Sequence, residues 1–214
     1  MKAVRKRSSS NPARIISESF VAVIAIGTLL LWLPISSRDG QFTPLLDSLF
    51  TATSATCVTG LVLYDTWTHW NPLGQGVLLM LIQIGGLGLV TLTSFFNLVV
   101  GKKLGLRGMK LASESINSTS FGDVPHLLRM IFTFTLTVES IGAVLLGLYF
   151  VPAYGLHGVF IAIFLAVSAF CNAGFDILGT EGHRFVSLSG YGDNIWLNMV
   201  IMLLIIIGGI GFLT

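Results

Sequence analysis

The stretch SLFTATSATCVTGL, Ser48 to Leu61, decides how this chain is read, because its pattern returns as AIFLAVSAFCNAGF, Ala162 to Phe175, at a constant offset of 114 residues. Phe50 meets Phe164, Ala52 meets Ala166, Ser54 meets Ser168, Ala55 meets Ala169, Cys57 meets Cys171 and Gly60 meets Gly174. A second match follows each copy, IGGLG at Ile84 to Gly88 and IGGIG at Ile207 to Gly211, offset by 123. The difference of nine residues is a longer loop in the second half. Self-similarity at fixed spacing marks a chain built from repeated units. Each half therefore reads as a long apolar run, a short apolar segment, a loop and another long run.

Working outward, the 214 residues are 53% hydrophobic and only 10% charged, with a mean hydropathy of +0.84. A soluble domain is about one-quarter charged, so the composition predicts an integral membrane protein. Four apolar stretches suit helices crossing the roughly 30 Å hydrocarbon layer: residues 15–34, 77–100, 125–151 and 195–214. The first lacks the cleavage site of a signal peptide and leads into further apolar segments, so it reads as a true span. Ten of the twelve lysines and arginines flank one set of span ends: Lys2, Arg5, Lys6, Arg7 and Arg14 in or beside the tail 1–14, and Lys102, Lys103, Arg107, Lys110 and Arg129 in or beside the loop 101–124. By the positive-inside rule that side, with the N-terminus, is cytoplasmic, which places the chain as a multi-pass protein of the cell membrane. The opposite loops carry Asp39, Asp47, Asp65, Asp176, Glu181 and Asp193. These are either an ordinary solvated surface or an acidic face that concentrates cations.

The short segments, 44–55 and 158–169, suit half-helices that dip into the bilayer and return. Were they to cross, the loop with Lys102 and Lys103 would change sides and the charge asymmetry would collapse. A returning segment leaves non-helical backbone at membrane depth, tolerated only where protein or water surrounds it. At that depth lie Thr56, Cys57, Val58, Thr59 and Gly60 in the first half, and Phe170, Cys171, Asn172, Ala173 and Gly174 in the second. The negative end of each half-helix dipole points at the same place. Carbonyl oxygens beside a dipole's negative end form a site for a dehydrated cation. The bland alternative makes Gly60 and Gly174 helix C-caps. Thr56 and Thr59 either add hydroxyl oxygens or only favour extended backbone. Asn172 is expected to hold the loop by hydrogen bonds.

On these residues the chain resembles the TrkH/KtrB family of bacterial potassium-uptake proteins, relatives of the plant HKT transporters. SATCVTGL and SAFCNAGFD carry the resemblance, which runs from about Ile15 to the last residue, and the second motif with the short N-terminal tail is closer to KtrB than to TrkH. The resemblance implies an all-α integral membrane fold of tandem span, re-entrant pore helix, span repeats, four to a pore. Repeat one covers 15–100 (pore helix 44–55, filter 56–60) and repeat two 125–214 (pore helix 158–169, filter 170–174). It implies potassium as the transported ion, with sodium as a candidate coupling ion and no covalent cofactor. It also implies a homodimer in the lipid bilayer and a cytoplasmic nucleotide-binding ring of the KtrA/TrkA type, for which the loop 101–124 is a candidate contact. Only two repeats are present, and the last apolar run stops at Thr214 where its counterpart continues to Val100. The expectation is an N-terminal half; its rival is a non-conducting fragment or scaffold that needs the missing repeats or a second copy to form a pore.

Asp65 and Asp176 are expected at the outer mouth, to attract cations or, for Asp176, to brace a turn. Glu139 is the acid deep within a span, where carboxylates are functional candidates or pair with a neighbouring helix. The glycines of IGGLG and IGGIG lie in apolar runs rather than after a strand, which opposes nucleotide binding and favours close packing or bending. Cys57 and Cys171 lack C-x-x-C spacing, the four histidines lack metal-ligand spacing, and nucleophile-elbow and H-E-x-x-H signatures are absent. The sequence thus predicts neither an enzyme nor a zinc site. The basic tail beside a span is a topology signal rather than a nucleic-acid site.

Overall fold

A computed structural model describes residues 12–88, 91, 94 and 124–210. The expectations for most of the tail 1–14, for residues 95–100, for the loop 101–123 and for 211–214 lie outside these. The described residues form helices α1 Pro12–Trp32, α2 Leu45–Thr56, α3 Thr66–His69, α4 Pro72–Leu87, α5 Val124–Tyr154, α6 Leu156–Phe170 and α7 Ile195–Ile210, with a 3-10 turn at Ser187–Tyr191.

Local sequence explains the element boundaries. Asn71 caps α4 by accepting from the amides of Leu73 (2.9 Å) and Gly74 (3.0 Å), and Pro72 occupies the first turn, where a missing N–H costs nothing. The helix stops at Gly88, whose φ of 77° leaves the helical region. Thr91 and Ser94 beyond it are again helical. Polar residues inside the apolar helices satisfy themselves locally: Ser19 donates to the Ile15 carbonyl (2.8 Å) and Thr28 to that of Ile24 (2.7 Å). Such back-bonding hides hydroxyls that lipid cannot solvate. Two helical stretches are long and apolar enough to cross a membrane, Arg14–Trp32 in α1 and Pro125–Tyr154 in α5. Val21, Ile26 and Leu29 on α1 and Val144 and Leu148 on α5 lie exposed on their outer faces, a distribution that fits a lipid surround. α2 has 12 residues and α6 has 15, about 18 and 23 Å at 1.5 Å per residue; α4 and α7 have 16 each among the described residues, about 24 Å.

The same packing recurs twice. α1 packs on α2, α2 on α4 and α1 on α4; α5 packs on α6, α6 on α7 and α5 on α7; α4 then meets α6 across the two sets. Matched glycines mark matched crossings. A Cβ on Gly27 would stand 2.8 Å from the Leu81 side chain, and one on Gly142 would stand 2.8 Å from that of Leu204. Between apolar helices in lipid, close van der Waals contact rather than water exclusion holds the pair together. The short helices accordingly bury small residues: Ala52, Ser54 and Ala55 on α2, Ala166, Ser168 and Ala169 on α6. One core joins both sets, from Leu31, Trp70, Leu78 and Ile82 to Phe150, Phe164, Phe175 and Leu197.

The sets differ in how the short helix is reached. Residues 33–44 form a loop between α1 and α2, whereas α5 and α6 meet at Gly155 (φ 59°). There Gly158 lies so close against the Phe150 carbonyl that a Cβ would overlap it.

Candidate functional site

α2 and α6 end in the same backbone device. After α2, the Val58 amide donates to the Ala55 carbonyl (3.3 Å) and the Thr59 amide to that of Ser54 (3.0 Å). After α6, the Asn172 amide donates to Ala169 (3.0 Å) and the Ala173 amide to Ser168 (2.7 Å). These are the paired bonds of a Schellman termination, whose C′ residue sits in the left-handed region. That residue is Val58 (φ 56°) in one loop and Asn172 (φ 58°) in the other. The C-cap alternative for Gly60 and Gly174 is thereby corrected: the helices are already closed before either glycine is reached. Each glycine instead makes a second left-handed turn two residues later, at φ 75° and 72°.

Those second turns bring the loops together. A Cβ on Gly60 would lie 2.8 Å from the Ala173 carbonyl oxygen, and one on Gly174 would lie 3.4 Å from the Gly60 Cα. Backbones separated by 114 residues in sequence therefore touch at two glycines, beneath the C-terminal ends of two short helices. The terminations fill the carbonyls of Thr53, Ser54 and Ala55 and of Val167, Ser168 and Ala169, while the helix dipoles leave partial negative charge at both ends. The contact thus sets the Ala173 carbonyl oxygen close to two negative dipole ends, features of the kind that favour a cation.

The loops are braced from behind. Gly85 of α4 lies against the Thr56 carbonyl and Gly208 of α7 against the Phe170 carbonyl, each so close that a Cβ would overlap the oxygen. Of the two roles expected for the IGGLG and IGGIG glycines, these pairs serve close approach, and Gly88 ends α4. The matched serines also brace. Ser54 Oγ is 2.9 Å from Thr59 Oγ1, while Ser168 Oγ donates to the Phe175 carbonyl at 2.5 Å. Thr56 donates its hydroxyl to the Ala52 carbonyl (2.8 Å), and Asn172 Nδ2 stands 3.4 Å from the carbonyls of both Phe170 and Ile205. Neither serine entered the sequence-based site, although the alignment pairs them.

The carboxylates are less exposed than an outer mouth suggests. Asp65 is buried; its Oδ1 accepts from the Thr68 amide (2.8 Å) and its Oδ2 from the Phe185 amide (2.9 Å). It ties the loop of one half to that of the other. Asp176 accepts from the Leu178 amide (3.0 Å) and faces a cavity of about 180 Å3 lined by Ser168, Asn172, Gly174 and Ser187. Burial pushes its carboxyl above the ordinary range, against the hydrogen bonds from Leu178 and Ser187, and the nearby Asp65 charge adds to the rise. Glu139, on the buried face of α5 with Leu128, Ile131, Thr135 and Leu146, accepts from Gln83 Nε2 at 3.0 and 3.3 Å. Cys57 is exposed and Cys171 partly buried, and both are free thiols. No cluster of three or more metal-ligating side chains occurs among the described residues.

A family model described as TrkH, cation transport protein, matches residues 2–213. The chain is 42% identical over 214 residues to the potassium/sodium uptake protein NtpJ of Enterococcus hirae, covering 100% of this chain and 46% of that protein. It is 41% identical over 204 residues to the Ktr system potassium uptake protein B of Bacillus subtilis, covering 94% of this chain and 44% of that protein. With the protein of the same name in Vibrio alginolyticus it shares 37% over 209 residues, 97% of this chain and 44% of that protein. The chain spans about half the length of the curated relatives it matches.

Proposed function

The chain belongs to the TrkH family of cation transport proteins, and on that footing we propose that it is half of a potassium-conducting pore whose filter is lined by the backbones of residues 56–60 and 170–174. Its two three-helix sets are two pore repeats, with α2 and α6 as re-entrant pore helices. The convergence of Gly60 and Gly174 in matched left-handed turns carries this reading. A cation arriving from outside sheds water against the carbonyls of the two loops and leaves toward the cytoplasm. One glycine in each filter strand allows few well-formed carbonyl sites, so selectivity for potassium over sodium is moderate. Sodium fits the same oxygens as a competing or coupling ion.

Two loops close half a ring. Coverage of under half of each relative favours further repeats in the same chain over a self-sufficient pore of two. In the membrane the protein pairs with a second copy, and the loop 101–124 on the cytoplasmic side meets a nucleotide-binding ring, the other part of a Ktr-type system. The test is rescue of growth at limiting potassium in uptake-deficient cells. The chain alone is compared with the chain joined to the C-terminal half of the Enterococcus relative. Rescue by the joined protein alone is the expected result. Failure of both, with each present in the membrane, refutes the transport reading.

A further inference from the structure

We infer that Glu139 is a positioning residue that holds the second loop from behind through Gln83 and Cys171, and so sets the cation selectivity of that loop; the selectivity part rests on the filter reading above. Glu139 projects from α5, Gln83 from α4, and Cys171 is the cap residue of α6. The carboxylate is 6% exposed. An acid in an apolar helix needs donors for both oxygens, because lipid supplies none. Gln83 Nε2 reaches both, at 3.0 and 3.3 Å, and the Cys171 thiol lies 4.0 Å from Oε1, at the outer reach of a sulfur donor. Among the described residues no cation pairs with Glu139. Gly86, one turn from Gln83, lies so close that a Cβ there would overlap the Cys171 sulfur. Elements from both halves are therefore pressed onto the first residue of the second loop, two residues from Ala173, whose carbonyl abuts Gly60.

The brace is one-sided. Gly142 on α5 matches Gly27 on α1 by its contact, and the position corresponding to Glu139 in that register is Ile24. Cys57, the counterpart of Cys171, is exposed. A carboxylate whose oxygens are spent on a side-chain amide and a thiol acts on the backbone it holds rather than on an ion in the filter.

The two cysteines of the chain supply the test. The protein at its full length is treated in membranes with a small maleimide, and modification of each cysteine is followed by peptide mass spectrometry, with Cys57 as internal reference. Glu139→Leu removes the acceptor and is expected to raise Cys171 labelling relative to Cys57 on the order of tenfold, the scale of one buried charge-assisted hydrogen bond. Glu139→Gln keeps an acceptor for Gln83 and the thiol and should restore the unsubstituted ratio. Gln83→Met, nearly isosteric but without a donor, should move the ratio as Glu139→Leu does, and it stands in if that variant does not fold. In rubidium-tracer uptake by potassium-deficient cells, the variants that loosen Cys171 should also lose discrimination against sodium. Unchanged labelling in both Glu139→Leu and Gln83→Met overturns the inference. So does a Glu139→Gln protein with normal labelling and lost selectivity, since charge rather than position would then be at work. Absence of rubidium uptake by the unsubstituted protein sinks the transport reading and the selectivity role together, whereas the labelling ratio still decides whether Glu139 holds the loop.

Discussion

The loops after α2 and α6 follow one backbone path with different side chains, and the difference separates what is repeated from what supports it. Both run through a left-handed C′ residue and a left-handed glycine two positions on. In the second loop the C′ residue is Asn172, a type that tolerates this region and whose amide reaches two carbonyls. In the first it is Val58, a β-branched residue for which positive φ is a true strain. Ser168 braces its loop through a main-chain carbonyl, Ser54 through the Thr59 side chain. Cys171 lies against Gly86 of α4 and 4.0 Å from Glu139 of α5, while Cys57 is exposed. The second loop is thus held from several sides and the first holds strain, although both deliver their glycine to one contact.

The largest expected effect breaks that contact. Gly60→Ala places a methyl 2.8 Å from the Ala173 carbonyl oxygen, a backbone atom that cannot step aside, whereas Gly174→Ala meets the Gly60 Cα at 3.4 Å. Both add the left-handed strain of about 1–2 kcal/mol, so both should erode potassium-over-sodium discrimination at least about tenfold. Gly60→Ala should be the more severe. Competition uptake measures the order; equal and wild-type selectivity in both variants would remove the filter assignment. Next comes the exchange of C′ residues. Val58→Asn should stabilise the solubilised protein by about 1 kcal/mol and Asn172→Val destabilise it by about 1–2 kcal/mol, read as opposite shifts in thermal midpoint. Shifts of the same sign would show that the C′ strain is not what distinguishes the loops.

A smaller effect separates the serines. Ser168→Ala leaves the Phe175 carbonyl short of a donor, and Ser54→Ala only frees the Thr59 hydroxyl, which keeps a longer contact of 3.5 Å to the Ser54 carbonyl. About 1 kcal/mol is expected for the first and less for the second.

Much of this was legible in residues because repetition cancels accident. Offsets of 114 and 123 pair the serines, cysteines and glycines within the sequence itself. The pairing of Gly85 with the Thr56 carbonyl and Gly208 with that of Phe170 explains why IGGLG and IGGIG recur together with the short helices. What the sequence left open is set by tertiary geometry. Whether Val58 or Gly60 ends α2, the latter being the alternative to a filter role, depends on which amide reaches the Ser54 carbonyl, and that is set by the fold. Asp65 is expected at the outer mouth, and the partners that fill its oxygens, the amides of Thr68 and Phe185, are not marked in the sequence, the latter lying far along the chain. Glu139 was visible as an acid in an apolar run, but its partner Gln83 lies in another apolar run with no pattern to mark it.

The mildest prediction concerns a difference at the rim. Asp176 stands at the position that Val62 occupies in the first repeat, so the acidic character beside the glycines belongs to one loop. Burial raises the Asp176 carboxyl above its ordinary value of 3.8. An acid raised in the folded state contributes stability that is complete below its unfolded value and lost as pH rises through the folded one. Above the unfolded value the rise therefore opposes folding, and Asp176→Asn, which keeps the acceptor for the Leu178 amide, should raise the thermal midpoint at pH 7 more than at pH 4. The same change removes an ionisable carboxyl near the glycines. It should slow rubidium uptake modestly at low ionic strength and hardly at all at high salt. A midpoint lowered at pH 7 would mean that the carboxylate braces the turn as an ion. Uptake slowed equally at both salt concentrations would assign Asp176 to the shape of the second loop rather than to the field around it.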